Sequence, residues 1–216
     1  MKIYSLPEKI KALIFDIDGT LYTSRAYVLE QVDVQIRHWA SLTGMTFDEA
    51  RKKISDFRKK WAEEHGGKKI SLGNTFPYFG VSIETSIEWR NTLMHPEDFL
   101  KRDEKLIETL GALSKEYRLL ALTNNPVAAA RKTLSVIGIE NLVPDIIGLD
   151  TCKKSKPAVE CLDAAVEAAG CTYEECVSIG DRYDIDLALP LEKGMGAVLV
   201  DGAEDVYALP EILMSR

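Results

Sequence analysis

The sequence predicts an α/β fold of the doubly wound, Rossmann-like kind: a parallel five-stranded sheet core with an all-helical segment inserted after the first strand. Two observations predict it. Short, almost unbroken apolar runs recur at residues 11–15, 118–122, 145–149, 175–179 and 196–200, the pattern of strands buried on both faces. Helical periodicity lies between most of them, and strands alternating with helices imply a parallel sheet. The interval after the first run is far longer than one crossover needs. It places a core at residues 1–21 and 101–216 and an insert at 22–100.

With 216 residues and a hydrophobic share of 46% the chain can bury a sizeable core. No apolar run approaches the roughly 20 residues that span a bilayer, and residues 1–7 do not read as a signal peptide. A cytoplasmic protein without a membrane partner is expected. The net charge of −7 disfavours a nucleic acid polymer as partner. Any phosphate site must therefore be made locally positive by a metal ion, a lysine or backbone N–H groups. Cys152, Cys161, Cys171 and Cys176 show neither zinc-site pairing nor a disulfide framework, and read as reduced thiols. His38, His65 and His95 stand beside no ligand set.

In order, Leu13-Ile14-Phe15 leads into Asp16-Ile17-Asp18-Gly19-Thr20. In extended chain the two carboxylates leave the same side roughly 7 Å apart. Gly19 permits a sharp turn or a close ligand, and Thr20 offers a hydroxyl and an N–H. Val28, Val32, Ile36 and Trp39 then recur at helical spacing up to Gly44. Thr46 and Glu49 form a capping-box pattern, opening a helix whose apolar stripe is Ala50, Ile54, Phe57 and Trp61 and whose other face is rich in Lys and Arg. Residues 71–80 carry too much Gly, Pro and aromatic character for a regular element. As a connector with recognition potential, this stretch makes Asn74, Thr75, Phe76 and Tyr78 the candidate substrate-specificity residues. A further helix begins near residue 82 and is stopped or bent by Pro96.

Beyond residue 103, Leu106, Leu110 and Leu113 mark an amphipathic helix, and the second strand ends at Thr123-Asn124-Asn125. Pro126 leads the next helix to Gly138, and Pro157 leads another to Gly170 with Lys156 just ahead of it. The fourth strand closes on Gly180-Asp181.

Ligands of open parallel sheets bind outside the carboxyl ends of the strands. Asp16, Thr123 and Asp181 each follow such a strand, so the fold brings them to one edge, where Lys156 can lean in. Asp16, Asp181 and oxygen atoms near Asp18 make an incomplete oxygen cage of the kind Mg²⁺ prefers. Asp16 can attack phosphorus, giving an aspartyl-phosphate. Thr123, Lys156 and the N–H groups of Ile17, Gly19 and Thr20 would stabilise the transferring group. Asp18 would protonate the leaving oxygen and later accept a proton from water.

The chain resembles the haloacid-dehalogenase superfamily, whose four motif regions are matched in order: Asp16-Ile17-Asp18-Gly19-Thr20, Thr123 with Asn124, Ser155-Lys156-Pro157, and Gly180-Asp181-Arg182-Tyr183-Asp184-Ile185-Asp186. The resemblance implies that Asn124 joins the phosphate-binding residues. It also implies metal ligation by Asp16, Asp18 and Asp181, with Asp186 a ligand or an outer partner. The insert is similar to the helical cap of the family's phosphatases, a cap that opens and closes over the core. The expected function is a Mg²⁺-dependent phosphomonoester hydrolase acting on a small soluble metabolite, similar to phosphoglycolate phosphatases and pyrimidine 5′-nucleotidases. A β-phosphoglucomutase-like mutase keeps the same motifs and stays open, as do monomer and homodimer. Asp18 argues against a dehalogenase, which lacks an Asp there. A non-catalytic scaffold would be expected to lose Asp16 or Lys156, and both stand.

Overall fold

A computed structural model describes residues 1–215. Six strands form one sheet: β1 (Lys2–Ser5), β2 (Ala12–Phe15), β3 (Arg118–Leu122), β4 (Asp145–Ile147), β5 (Cys176–Gly180) and β6 (Gly196–Leu199). Their order is β1-β6-β5-β2-β3-β4. The five strands expected from apolar runs are all present and mutually parallel. The sixth corrects the count: β1 pairs antiparallel with β6 at the sheet's edge. All four of its residues are exposed, so it has no apolar run to betray it. The insert consequently follows the second strand of the chain, which is the first of the parallel set.

The chain runs from β2 outward through β3 to β4, then returns to the other side of β2 for β5 and β6. The crevice at this reversal is where doubly wound sheets hold ligands. The register sets the site's height, because Phe15 lies level with both Ala121 and Ile179. Asp16, Thr123 and Asp181 therefore leave the sheet within one residue of the same level.

The chain divides into two compact units, residues 1–25 with 96–215 and residues 26–95. The second holds helices α1 (Arg25–Thr43, but for its first residue), α2 (Phe47–Glu64), α3 (Leu72–Thr75) and α4 (Ile83–Leu93). The Thr46–Glu49 capping box opens α2, with Thr46 N–H donating to Glu49 Oε2 at 2.8 Å. Helix α1 departs from its expected stripe: Val28 and Val32 are exposed, and Tyr27, Gln31, Gln35, Ile36, Trp39 and Ala40 are buried. Buried glutamines are tolerated when they are bonded, and Gln35 Oε1 accepts from Arg90 Nε at 3.1 Å.

Residues 71–80 are also regular, as α3 followed by a 3₁₀ turn over Phe76–Phe79. Ser71 caps α3 by accepting from Asn74 N–H, and Gly80 closes the turn. Phe76 and Thr75 are fully buried, with Phe76 in the cluster of Ile36, Trp39, Ile54, Leu72 and Trp89. The aromatic character there is packing within the unit.

In the first unit follow α5 (Glu104–Leu113), α6 (Val127–Ile137), α7 (Leu149–Cys152) and α8 (Val159–Ala169). Helix α8 begins two residues after Pro157, whose peptide bond with Lys156 is cis. The four cysteines are free. Among the described residues no helix is long and apolar enough to cross a membrane.

Candidate active site

Strand β2 delivers Asp16 into the crevice, where its N–H donates to Ile179 O at 2.8 Å and ties it to β5. The side chain is buried. Lys156, reaching in from the loop before α8, donates from Nζ to Asp16 Oδ1 (2.5 Å), Asp186 Oδ1 (2.7 Å) and the Leu122 carbonyl (2.8 Å). Its own N–H donates to Asn124 Oδ1 at 2.6 Å. Asn124, read as a phosphate ligand, thus also positions the lysine.

Asp186 arrives on a π-helical turn over Tyr183–Leu187. Its Oδ2 accepts from Arg182 N–H at 3.1 Å, and its carbonyl accepts from Ser178 Oγ at 2.8 Å. The turn needs Gly180: a Cβ there would lie 2.4 Å from Asp186 Cβ. Gly19 is constrained twice, by φ of 87° and by Asp181, whose Oδ2 would meet a Cβ at 2.7 Å.

Carboxylate oxygens of Asp16, Asp181 and Asp186 lie within 4.8 Å of one another. Asp181 Oδ1 is buried without a hydrogen-bond partner, a costly state unless something else compensates it. An all-oxygen donor set with one oxygen lacking a hydrogen bond suits a hard divalent cation such as Mg²⁺. The Asp18 carboxylate falls outside this trio. Tyr22 Oη donates to its Oδ1, and Asn125 Nδ2 donates to its Oδ2 at 2.9 Å.

Electrostatics follow from this crowding. Burial, reinforced by Asp186 and Asp18, pushes the Asp16 pKa up to about 7 against the pull of Lys156. Burial disfavours the ammonium of Lys156, but Asp16 and Asp186 outweigh that and hold its pKa above the ordinary lysine value. Asp181 is raised by burial, with Arg182 opposing. Arg182, half-exposed with Nε 3.4 Å from Asp181 Oδ1, loses solvation and regains more from Asp186, Asp16, Asp181 and Asp18, so its pKa rises. The lysine stays charged while the surplus negative charge falls on the carboxylates.

The predicted residues Asp16, Lys156, Asp181 and Asp186 are thus gathered in one cluster. Thr123 is buried beside it, its Oγ1 accepting from Asn125 N–H at 3.1 Å. The Thr20 N–H donates to Ile17 O at 3.2 Å, and its hydroxyl reaches Asp16 Oδ2 only at 3.4 Å. Of the insert's four candidates, Thr75 and Phe76 are core residues, whereas Asn74 and Tyr78 are exposed, Tyr78 packing on Phe57 with ring centroids 4.8 Å apart. Tyr22, Asn125 and Arg182 escaped the sequence reading. A tyrosine four residues after Asp18 was the one available signal for the first.

Residues 10–189 match the family model described as haloacid dehalogenase-like hydrolase. Pyrophosphatase PpaX of Listeria monocytogenes serotype 4a is 27% identical over 180 residues, covering 81% of this chain and 76% of its own. Phosphoglycolate phosphatase of Colwellia psychrerythraea is 28% identical over 195 residues, covering 85% and 80%. The crystal structure of a HAD phosphatase from Thermococcus onnurineus superposes with a TM-score of 0.65 at 23% identity, over 94% of this chain and 98% of that one.

Proposed function

The chain belongs to the haloacid dehalogenase-like hydrolase family, and from that premise we propose that it is a cytoplasmic, Mg²⁺-dependent phosphatase acting on a small phosphorylated metabolite through an aspartyl-phosphate. The observation that carries the proposal is the environment of Asp16. It is a buried carboxylate with one oxygen fixed by Lys156, two further carboxylates beside it and a separately anchored carboxylate, Asp18, two residues on.

Asp16 is the nucleophile. With Oδ1 held by the lysine, Oδ2 carries only the long contact from Thr20 and is the oxygen free to attack phosphorus. The attack forms the Asp16 O–P bond and breaks the bond to the leaving oxygen. Asp18 gives that oxygen its proton. Asp18 then takes a proton from water as the water attacks phosphorus, releasing inorganic phosphate and restoring Asp16. Tyr22 and Asn125 hold Asp18 in place for both transfers. Lys156, Thr123 and the backbone between Ile17 and Thr20 contribute donors and positive charge to the phosphoryl oxygens, the usual source of catalysis in phosphoryl transfer.

Mg²⁺ would be held by Asp16, Asp181 and Asp186, and when bound it supplies positive charge against the repulsion between carboxylates and phosphate. The relatives named as acting on pyrophosphate and phosphoglycolate support a compact, highly charged substrate.

Hydrolysis of p-nitrophenyl phosphate should require Mg²⁺, stop with chelator and be abolished in Asp16→Asn. Equal rates for wild type and Asp16→Asn would remove the reading. Release of inorganic phosphate across a panel of pyrophosphate, phosphoglycolate, sugar phosphates and nucleotides would then rank substrates. Conversion of one sugar phosphate into its isomer without phosphate release would replace phosphatase by mutase.

A further inference from the structure

The insert contains a cavity of its own, about 410 Å³ in volume, formed between α1, α2 and the segment leading to α3. That volume is in the range of small-ligand sites. Its floor is apolar, with Ile36, Ile54 and Ile70 all buried. Its rim is cationic, made of Arg51, Arg58, Lys59 and Lys69, and no carboxylate lines it.

An arginine- and lysine-rich helix face is ordinarily solvated and paired along the helix. Helix α2 does this elsewhere: Lys52 pairs with Asp56 at 2.5 Å and Lys60 with Glu64 at 3.8 Å. The cations of the cavity differ. Arg51 reaches Asp33 at 3.2 Å, but Arg58, Lys59 and Lys69 have no ion pair or hydrogen bond among the described residues. Arg58 is partly withdrawn from water, and burial pulls its guanidinium below the ordinary arginine range with no acid nearby to offset it. A cation that has lost water and gained no counter-charge sits at a cost that an arriving anion removes.

We propose that this cavity binds a small organic anion, its apolar body on Ile36, Ile54 and Ile70 and its oxyanion held by Arg58 with Lys59 and Lys69. A guanidinium fork offers two parallel N–H donors to a carboxylate, sulfonate or phosphate. The hydrocarbon floor selects against inorganic anions, which gain nothing there. This site is built entirely from residues 32–70, so it stands whether or not the phosphatase reading holds.

The test is a fluorescence titration of the full-length protein with 2-naphthalenesulfonate, which has the required apolar body and oxyanion and no phosphate to hydrolyse. Saturable one-site binding is expected. Losing a charge-assisted hydrogen bond should weaken it about tenfold or more in Arg58→Gln and in Lys69→Gln. Lys60→Gln, on the same helix but outside the cavity, should change it less than about twofold. Ala62→Leu, which fills the hollow and leaves its charges, should also weaken it. Asp16→Asn should bind as the wild type does, separating this cavity from oxyanion capture beside Asp16. Far-UV circular dichroism checks that each variant is folded. The proposal is overturned by non-saturable binding, by Arg58→Gln binding like wild type, by equal losses in Lys60→Gln and Arg58→Gln, or by loss of binding in Asp16→Asn.

Discussion

Replacing Lys156 with Met should destabilise the metal-free protein by an amount that grows with pH. In the wild type one ammonium serves Asp16 Oδ1 at 2.5 Å, Asp186 Oδ1 at 2.7 Å and the Leu122 carbonyl at 2.8 Å, all buried. Methionine keeps the length of the chain and removes the donor, leaving two carboxylates facing each other. Breaking a buried pair from one side costs about 3–5 kcal/mol when the orphaned group is charged. Whether Asp16 is charged depends on pH. Its pKa is raised from 3.8 to about 7 in the folded protein, so between those values the folded state binds more protons than the unfolded state, and stability falls as pH rises through that window. Loss of the lysine raises the folded pKa further and extends the fall above pH 7. At pH 5.5 Asp16 is largely protonated in both proteins. The loss should then be smaller by roughly 1–3 kcal/mol, because only Asp186 and the Leu122 carbonyl, and not a charged Asp16, are left without their donor. Urea denaturation in chelator at pH 5.5 and pH 8 measures both values. Equal losses at the two pH values, or a loss below about 1 kcal/mol at pH 8, would refute the reasoning, because the ammonium would then not be balancing a charged Asp16.

Further substitutions test other parts of the site and insert. Asn125→Ala removes the 2.9 Å bond to Asp18 and should lower kcat on p-nitrophenyl phosphate by about tenfold, less than a full loss of acid–base catalysis. KM should hardly move. Gly180→Ala puts a Cβ 2.4 Å from that of Asp186. It should cost about 1–3 kcal/mol in denaturation and weaken Mg²⁺ binding measured by calorimetry, since Asp186 must move. Phe76→Ala should cost about 3–5 kcal/mol as a core truncation, whereas Tyr78→Ala, at an exposed ring, should stay within about 0.5 kcal/mol. If Phe76→Ala changes only substrate preference, its ring is a recognition group and not core.

The parallel strands were legible because burial demands runs of mostly apolar residues: all four residues of β2 and all five of β5 are buried. Strand β1 was not, since edge pairing uses backbone groups and demands no particular side chains. Asp16, Thr123 and Asp181 could be placed together because strand ends in a parallel sheet share one rim. The partners of Asp18 could not, because a hydrogen bond from Asn125, 107 residues away, leaves no periodic trace. Residues 71–80 misled for a related reason. Ser71, Pro77 and Gly80 act there as helix punctuation, a cap, a first-turn residue and a terminator, yet the same residue types mark a loop when counted by composition. Helix α1 misled because its buried face includes Gln31 and Gln35, which a hydrophobic stripe does not reveal.

The charge balance at the rim supports the proposed catalytic role of this cluster. Asp16, Asp18, Asp181 and Asp186 all act on Arg182, and with Lys156 that makes four carboxylates facing two cations. Asp16 and Asp186 are almost wholly buried, and burial with the neighbouring carboxylates already raises the Asp16 pKa to about 7, since each uncompensated charge there costs several kcal/mol. A divalent cation, as proposed, would relieve this crowding of carboxylates. A phosphate dianion approaching without such a cation would meet the carboxylates' repulsion. The lysine fixes Asp186 and one oxygen of Asp16, while the other Asp16 oxygen has the long Thr20 contact and Asp181 Oδ1 lies 3.4 Å from Arg182 Nε without a hydrogen bond. Under the proposed mechanism those two atoms would be used, one to attack phosphorus and one to hold an ion beside it.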